Sequence, residues 1–267
     1  LPGLDPTNLA DTALLVRSVR EAGAIARKFF QGEYKHWDKS RGNPVTEADI
    51  AIDSFLKEEL LAARPDYGWL SEETDDDLSR LSKSRVFVVD PIDGTIGFLK
   101  GRPHFTIVAA VVTEGRPVSA AIYNPISEEM YEANFGGGAA LNGGTIHVSD
   151  QGTLENATIL APLVTFEPAD WRSPWPTSMR SETRASIAYR LALVAAGKFD
   201  AMISLSAKHD WDLAAGDLVV NEAGGLVTAP DGRILTYNHP QPLQRGVLSA
   251  GPRLHARLRD RMNDQLN

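Results

Sequence analysis

The stretch that most narrows what this chain can fold into is Val86-Phe87-Val88-Val89 followed by Asp90-Pro91-Ile92-Asp93-Gly94-Thr95. Four consecutive apolar residues, three of them β-branched, read as a strand covered on both faces. The rest of the chain must therefore supply a layer on each side of the sheet that holds it. The strand ends at an acid, Asp90, and Pro91 with Asp93-Gly94 marks a turn.

The flanking pattern supplies such layers. From Leu9 to Phe30 the apolar positions Leu15, Val19, Ala22, Ala26 and Phe29 recur at helical spacing. Gly32 to Asn43 is polar and reads as a loop. Thr46 to Ala63 carries Ile52, Phe55, Leu56 and Leu60 on one helical face, with Thr46 as N-cap and Arg64-Pro65 as the stop. Trp69-Leu70 is a short strand ending in Ser71-Glu72-Glu73. The segments 105–112, 118–123 and 130–134 read as an antiparallel meander, and the glycines of 136–138 and 142–144 as a flexible hinge or turn. Further on, the spacing predicts a helix over 184–196, a strand over 201–205, a helix over 211–222, a hairpin through Asp231-Gly232 and a last helix from Pro252. The fold class is α+β, in two lobes: residues 1–144 with the acidic strand end, and residues 145–267.

Composition excludes several functions. The 267 residues hold 27 Lys and Arg against 35 Asp and Glu, a formal charge of −8, the wrong sign for broad contact with nucleic-acid phosphates. Without Cys there is neither a disulfide nor thiolate chemistry. No apolar run approaches the roughly 18 to 20 residues that span a bilayer. The start, residues 1–15, lacks a basic segment followed by an apolar one, so the expected location is cytoplasmic.

A carboxylate at the end of a buried strand is costly unless something cationic meets it. Asp90 and Asp93, with the Ile92 carbonyl between them, offer the hard oxygen donors that suit Mg²⁺. Their alternative role is capping backbone amides in a turn, the common use of Asp before Gly. Gly94-Thr95 adds a small residue and the start of a helix, where an anion can sit. Asp49 falls at N3 of the helix that Thr46 caps, so a capping box explains it without catalysis. Asp212 lies in the first turn of its helix, where the dipole favours an acid.

Asp90-Pro91-Ile92-Asp93-Gly94-Thr95 resembles the DP(I/L)DGT signature of the inositol monophosphatase superfamily of lithium-sensitive, metal-dependent phosphatases. Trp211-Asp212-Leu213-Ala214-Ala215-Gly216, with Glu222-Ala223-Gly224-Gly225 downstream, resembles the second motif of that superfamily. The likeness extends to Val45-Thr46-Glu47-Ala48-Asp49 and Ser71-Glu72-Glu73. It implies a layered αβαβα sandwich whose two lobes face one site. It further implies that Glu72, Asp90 and the Ile92 carbonyl hold a first Mg²⁺ and that Asp90, Asp93 and Asp212 hold a second, with a weaker third ion near Glu72. By the same resemblance, metal-activated water attacks phosphorus directly. Thr95 orients that water and hands its proton towards Asp49, and the Gly94 and Thr95 amides grip the phosphate.

The resemblance implies a small phosphorylated metabolite as substrate, with no nucleic-acid polymer and no membrane as partner; a homodimer is compatible with it. Residues 94–106 resemble bacterial 3'(2'),5'-bisphosphate nucleotidases, which favours hydrolysis of 3'-phosphoadenosine 5'-phosphate to AMP. Leu205 stands where inositol monophosphatases usually carry a Glu that binds inositol hydroxyls, which points the same way. Lys208 is then a candidate for a second phosphate, and Arg184 and Ser186 for the leaving-group side. The alternatives are an inositol-1-monophosphatase and, from another class, a partner of the transcription or RNA-processing machinery with phosphatase activity beside that role.

Overall fold

The computed structural model describes residues 4–30, 32–40, 43–167, 171 and 173–266. Helix α1 (Pro6–Phe29) opens the chain, and β1 (His36–Ser40) pairs antiparallel with β2 (Asn43–Thr46) before α2 (Glu47–Ala63). Seven strands then form one sheet. They are β3 (Gly68–Ser71), β4 (Arg85–Asp93), β5 (Thr106–Thr113), β6 (Arg116–Asn124), β7 (Glu129–Asn134), β8 (Gly138–Leu141) and β9 (Gly144–Thr145), side by side in sequence order. The five-residue helix α3 (Thr95–Leu99) leaves the end of β4. A second sheet has five strands in the order β11 (Arg180–Glu182), β10 (Thr158–Leu160), β12 (Ala201–Ser204), β16 (Val247–Ala250) and β14 (Leu226–Thr228). The remaining elements are α4 (Ile187–Ala195), β13 (Lys208–His209) paired with β15 (Leu243–Gln244), α5 (Asp210–Glu222) and α6 (Pro252–Leu266).

The doubly buried strand dictates the layering. Phe87 and Val89 join a core with Leu15, Val19, Ile52 and Leu56 of α1 and α2, while Val86 and Val88 join a core with Leu191, Leu213 and Leu218 of α4 and α5. That second core continues to Leu160, Met202, Val227 and Val247 of the five-stranded sheet. The outer face of that sheet buries Ile159, Ile203 and Leu248 against Leu254, Leu258 and Met262 of α6. The order α, β, α, β, α is the expected layered sandwich. Small residues set the spacing of the central layer: a Cβ on Gly216 of α5 would lie 2.4 Å from Leu191 Cδ1 of α4, so even Ala would force these helices apart.

Some local expectations are corrected. Gly32 to Asn43 is not wholly loop, because His36–Ser40 pairs with β2; Trp37 is the one apolar residue in that strand, too little alternation to signal the pairing. The glycine-rich stretch read as a hinge contains β8 and β9 and finishes the sheet. Asp231-Gly232 makes a turn, with the Ala229 amide donating to the Arg233 carbonyl, but no hairpin: β14 pairs with β16 instead. Among the described residues, no helix is long and apolar enough to cross a membrane.

Candidate active site

In a regular strand, residues three apart face opposite sides, so Asp90 and Asp93 should diverge. Between them β4 carries one extra residue: Asp90 pairs with Val108 and Asp93 with Thr106, three steps on one strand against two on the other. This bulge turns both carboxylates to the same side, and Pro91, which has no N–H to lose, suits it. Asp212 arrives from the first turn of α5. One oxygen from each of Asp90, Asp93 and Asp212 lies within 4.8 Å of the others.

Three helix starts hold three of the site's acids. Asp93 accepts from the Ser186 hydroxyl at 2.7 Å and from the amides of Ile187 (3.1 Å) and Ala188 (2.6 Å) at the start of α4. Asp212 Oδ2 accepts from the His209 amide at 2.8 Å. Asp49 Oδ2 accepts from the Thr46 amide at 2.8 Å in a complete capping box. The capping expectation and the proximity to Thr95 are met together, since the Thr95 hydroxyl lies 3.3 Å from Asp49 Oδ1 and 3.0 Å from the Ile92 carbonyl.

Asp90 differs from these three. It is 1% exposed, and among the described residues neither carboxylate oxygen has a hydrogen-bond partner. Burial first, and then Glu72, Asp93, Asp212 and Asp49, push its pKa well above the ordinary carboxylate range. Burial and then Asp93 push Asp212 up to about 8. Burial raises Asp93 to about 6 against the opposing pull of Ser186 and the α4 amides, and burial raises Asp49 to about 6. Orphaned carboxylate oxygens facing other carboxylates fit a divalent cation, the partner that would supply the missing charge and ligands.

The cleft over these acids has a volume of about 680 Å³, and Glu72, Gly94, Thr95, Arg184 and Lys208 also line it, a size suited to a small metabolite. Glu72 lies outside the tight trio and accepts from Lys39 Nζ of β1 at 3.0 Å, as Glu73 does at 2.7 Å. Gly94 has φ of +99°, and a Cβ there would stand 3.0 Å from the Ser186 amide nitrogen. Only glycine allows this turn and the close approach of α4 together. Ser186, expected on the leaving-group side, is fully buried with its hydroxyl bonded to Asp93, so it positions that acid and does not face the cleft. Trp211 stacks on His209 with ring centroids 4.4 Å apart.

Lys39, Arg102 and Arg190 are neighbours of the site that sequence reasoning missed. Arg190 had one usable signal, a lone charge in the otherwise apolar helix Ile187–Ala195. Lys39 had none, being 33 residues from its partner Glu72.

The profile of the Inositol monophosphatase family matches residues 8–266. The inositol-1-monophosphatase of Rhizobium meliloti (strain 1021) is 34% identical over 258 residues, which are 91% of this chain and 93% of that one. The Nus factor SuhB of Escherichia coli (strain K12) is 30% identical over 267 residues, 95% of this chain and 97% of that one. Among solved structures, the suhB extragenic suppressor protein of Bartonella henselae superimposes with a TM-score of 0.81 at 28% identity, covering 95% of this chain and 98% of its own. The Thermotoga maritima IMPase gives a TM-score of 0.81 at 26% identity over 94% and 96% of the two chains. With its layers, its acid cluster and a profile match over nearly its whole length, the chain belongs to the inositol monophosphatase family of metal-dependent phosphomonoesterases.

Proposed function

We propose that this chain hydrolyses a phosphate monoester of a small metabolite at the cleft over Asp90, Asp93 and Asp212. The observation that carries the reading is Asp90, buried with both oxygens unpartnered beside two other acids. Asp90, Asp93 and Asp212, with Glu72 and the Ile92 carbonyl, would hold Mg²⁺. When bound, such ions lower the pKa of a coordinated water and clamp the attacking and leaving oxygens.

The chain's own residues do the remainder. The Thr95 hydroxyl, with Asp49 at 3.3 Å and the Ile92 carbonyl at 3.0 Å, is placed to receive a proton from an attacking water while passing its own to Asp49. Burial raises the Asp49 pKa to about 6, close to the range where a carboxylate serves as a general base near neutrality. The water oxygen forms the new bond to phosphorus as the ester oxygen leaves with its electron pair and takes up a proton. The products are an alcohol and inorganic phosphate. The Gly94 and Thr95 backbone at the rim suits a phosphate oxygen, because no Cβ intervenes at Gly94.

Two leaving groups compete. Inositol 1-phosphate is supported by the name of the Rhizobium relative at 34% identity, and 3'-phosphoadenosine 5'-phosphate by Leu205 and the 94–106 run; the first is at least as well supported. A role in transcription rests on the name of the Escherichia coli relative and on no residue of this cleft. A phosphate-release panel of both esters and fructose 1,6-bisphosphate, in Mg²⁺ and in EDTA, tests the reading, with an added Li⁺ titration in which inhibition is expected. If no ester releases phosphate in a divalent-dependent manner, the proposal is lost.

A further inference from the structure

Glu72 reaches the cleft from a bend, and its placement is set from two directions. Before the bend the parallel ladder governs it: Ser71 of β3 is level with Val89 of β4, and the Glu72 amide donates to the Val89 carbonyl at 3.3 Å, next to Asp90. The ladder stops there, because β3 ends at Ser71. Beyond it the bend is held by a carboxylate of α2. The Ser71 hydroxyl donates to Asp53 Oδ1, and the Thr74 hydroxyl donates to Asp53 Oδ2 at 2.7 Å. Ser71 and Thr74 flank Glu72 and Glu73 in the chain, so one side chain clips the bend at both ends. Each hydroxyl also accepts locally, Ser71 from the Glu73 amide at 3.5 Å and Thr74 from the Trp69 indole N–H at 3.2 Å.

The plainer explanation is that Asp53 only satisfies two hydroxyls. Its location argues for more. Asp is a poor helix former, yet Asp53 stands in the interior of α2 and is 6% exposed. A buried carboxylate is costly, and among the described residues no Lys, Arg or His nitrogen lies within 4.0 Å of it. The fold bears that cost at a bend that delivers another carboxylate to the cleft. Asp49 is four residues earlier, on the same face of the same helix, and lies 3.3 Å from the Thr95 hydroxyl. One rigid helix therefore sets Glu72 and Thr95 relative to each other.

Resting on the phosphatase reading, with Glu72 as a cation ligand, we propose that Asp53 is a positioning residue: through Ser71 and Thr74 it fixes where the Glu72 carboxylate stands against Asp90 and Thr95. Glu72 lines the cleft and Asp53 does not, so Asp53 acts through Glu72 and touches neither cation nor substrate. Partners that orient a ligating carboxylate from outside are worth about 10- to 100-fold in metal affinity.

The test is Mg²⁺ binding by calorimetry, with no substrate present, on Asp53→Ala, Glu72→Gln and the double variant. Each single variant should weaken Mg²⁺ binding by about tenfold or more. The double variant should bind no more weakly than Glu72→Gln, because Asp53 then has nothing left to position. Additive losses overturn the proposal, as does an affinity that Asp53→Ala leaves unchanged. Two milder variants decide the matter should Asp53→Ala fail to fold: Thr74→Val deletes one hydroxyl of the clip and should lose Mg²⁺ affinity several-fold, whereas Thr74→Ser keeps the hydroxyl and should bind as the wild type does. Equal affinities in that pair also overturn it. Leu60→Ala, in the core at the far end of α2, controls for stability; it should lower Tm and keep Mg²⁺ affinity, and a loss as large as that of Asp53→Ala counts against a specific role. The phosphatase reading is tested separately, by phosphate release. A protein that shows this binding pattern and hydrolyses no ester loses that reading and keeps the placement of Glu72 by Asp53; one that hydrolyses an ester in Mg²⁺ without the pattern keeps the reading and loses the placement.

Discussion

Replacing Asp90 by Asn should make the metal-free protein more stable while removing its response to Mg²⁺. Asp90 lies within 4.8 Å of the nearest oxygens of Asp93 and Asp212, and two unit charges at that distance repel by about 3.5 kcal/mol at an effective dielectric constant of about 20. Two such neighbours cannot cost twice that, because a carboxyl escapes by taking up a proton. At pH 7 that escape costs about 4 kcal/mol for a group with an unperturbed pKa of about 3.9, which caps the penalty. Asn keeps the shape, removes the charge and can donate to the facing carboxylates, so a gain of about 2–4 kcal/mol is expected in EDTA. At roughly 2–4 °C per kcal/mol for a chain of this size, Tm should rise by about 4–16 °C. In Mg²⁺ at a hundred times its Kd the wild type gains about 2.7 kcal/mol, whereas Asp90→Asn gains little, so the gap closes or reverses. The sign with pH follows from a folded-state pKa raised above the unfolded value. Such a carboxyl favours the native state most below its unfolded pKa and loses that contribution as pH rises, so the gap in EDTA should be widest near neutrality and narrow towards pH 4. Differential scanning fluorimetry at several pH values, with EDTA or Mg²⁺, reads all of this. An Asp90→Asn protein that melts at or below the wild type in EDTA at pH 7 would refute the reasoning.

Thr95→Ala should lower kcat by about a hundredfold or more with little change in melting temperature, since it removes the hydroxyl between water and Asp49; a change in KM alone would contradict that role. Asp49→Asn keeps an acceptor for the Thr46 amide, so the loss of stability should stay below about 1 kcal/mol while kcat falls as for Thr95→Ala. Lys39→Gln frees Glu72 and Glu73 from an ammonium at 3.0 and 2.7 Å and should tighten divalent binding several-fold by calorimetry; weaker binding would show that Lys39 supports the metal site. His255 is buried against the Thr228 hydroxyl, with its pKa held down at about 4 by burial and then Arg259. Its contribution is present above about pH 6.5 and lost as pH falls towards 4. His255→Gln should therefore lose less Tm than the wild type across that interval, and parallel profiles would exclude this account.

What could be read beforehand depended on whether a residue's fate was set locally. Val86 to Val89 announced a strand covered on both faces, because a short β-branched apolar run that stops at turn residues fits that use best, and Thr46-Glu47-Ala48-Asp49 announced its capping box because the partners are three residues apart. The bulge that aims Asp90 and Asp93 together was not legible, since it exists only relative to Thr106 and Val108 on β5. Ser186 looked available for substrate because it begins a helix, yet Asp93, reaching it from 93 residues away, takes its hydroxyl. Glu222 of the second motif serves a purpose no spacing suggested: its carboxylate accepts from the Gly136 and Gly138 amides at 2.8 Å each and ties α5 to the turn before β8.

The acids of the site differ in what the fold already provides for them. Asp49 and Asp212 sit in the first turns of α2 and α5, and Asp93, at the end of β4, lies against the first turn of α4, where amides and the helix dipole favour negative charge. All three therefore have a structural reason to be Asp that is independent of any cation. Asp90 has none: it stands at the bulge inside β4, accepts no hydrogen bond among the described residues and faces the others. Folding alone would favour almost any small neutral residue there, so a carboxylate at this position is explained by what it binds. Substitution to Asn should accordingly destabilise the apoprotein at Asp93, where an amide group would set an N–H donor against the donors of α4, and stabilise it at Asp90. Opposite signs at two acids of one cluster would separate the positions that the helix starts hold from the position that only a cation can satisfy.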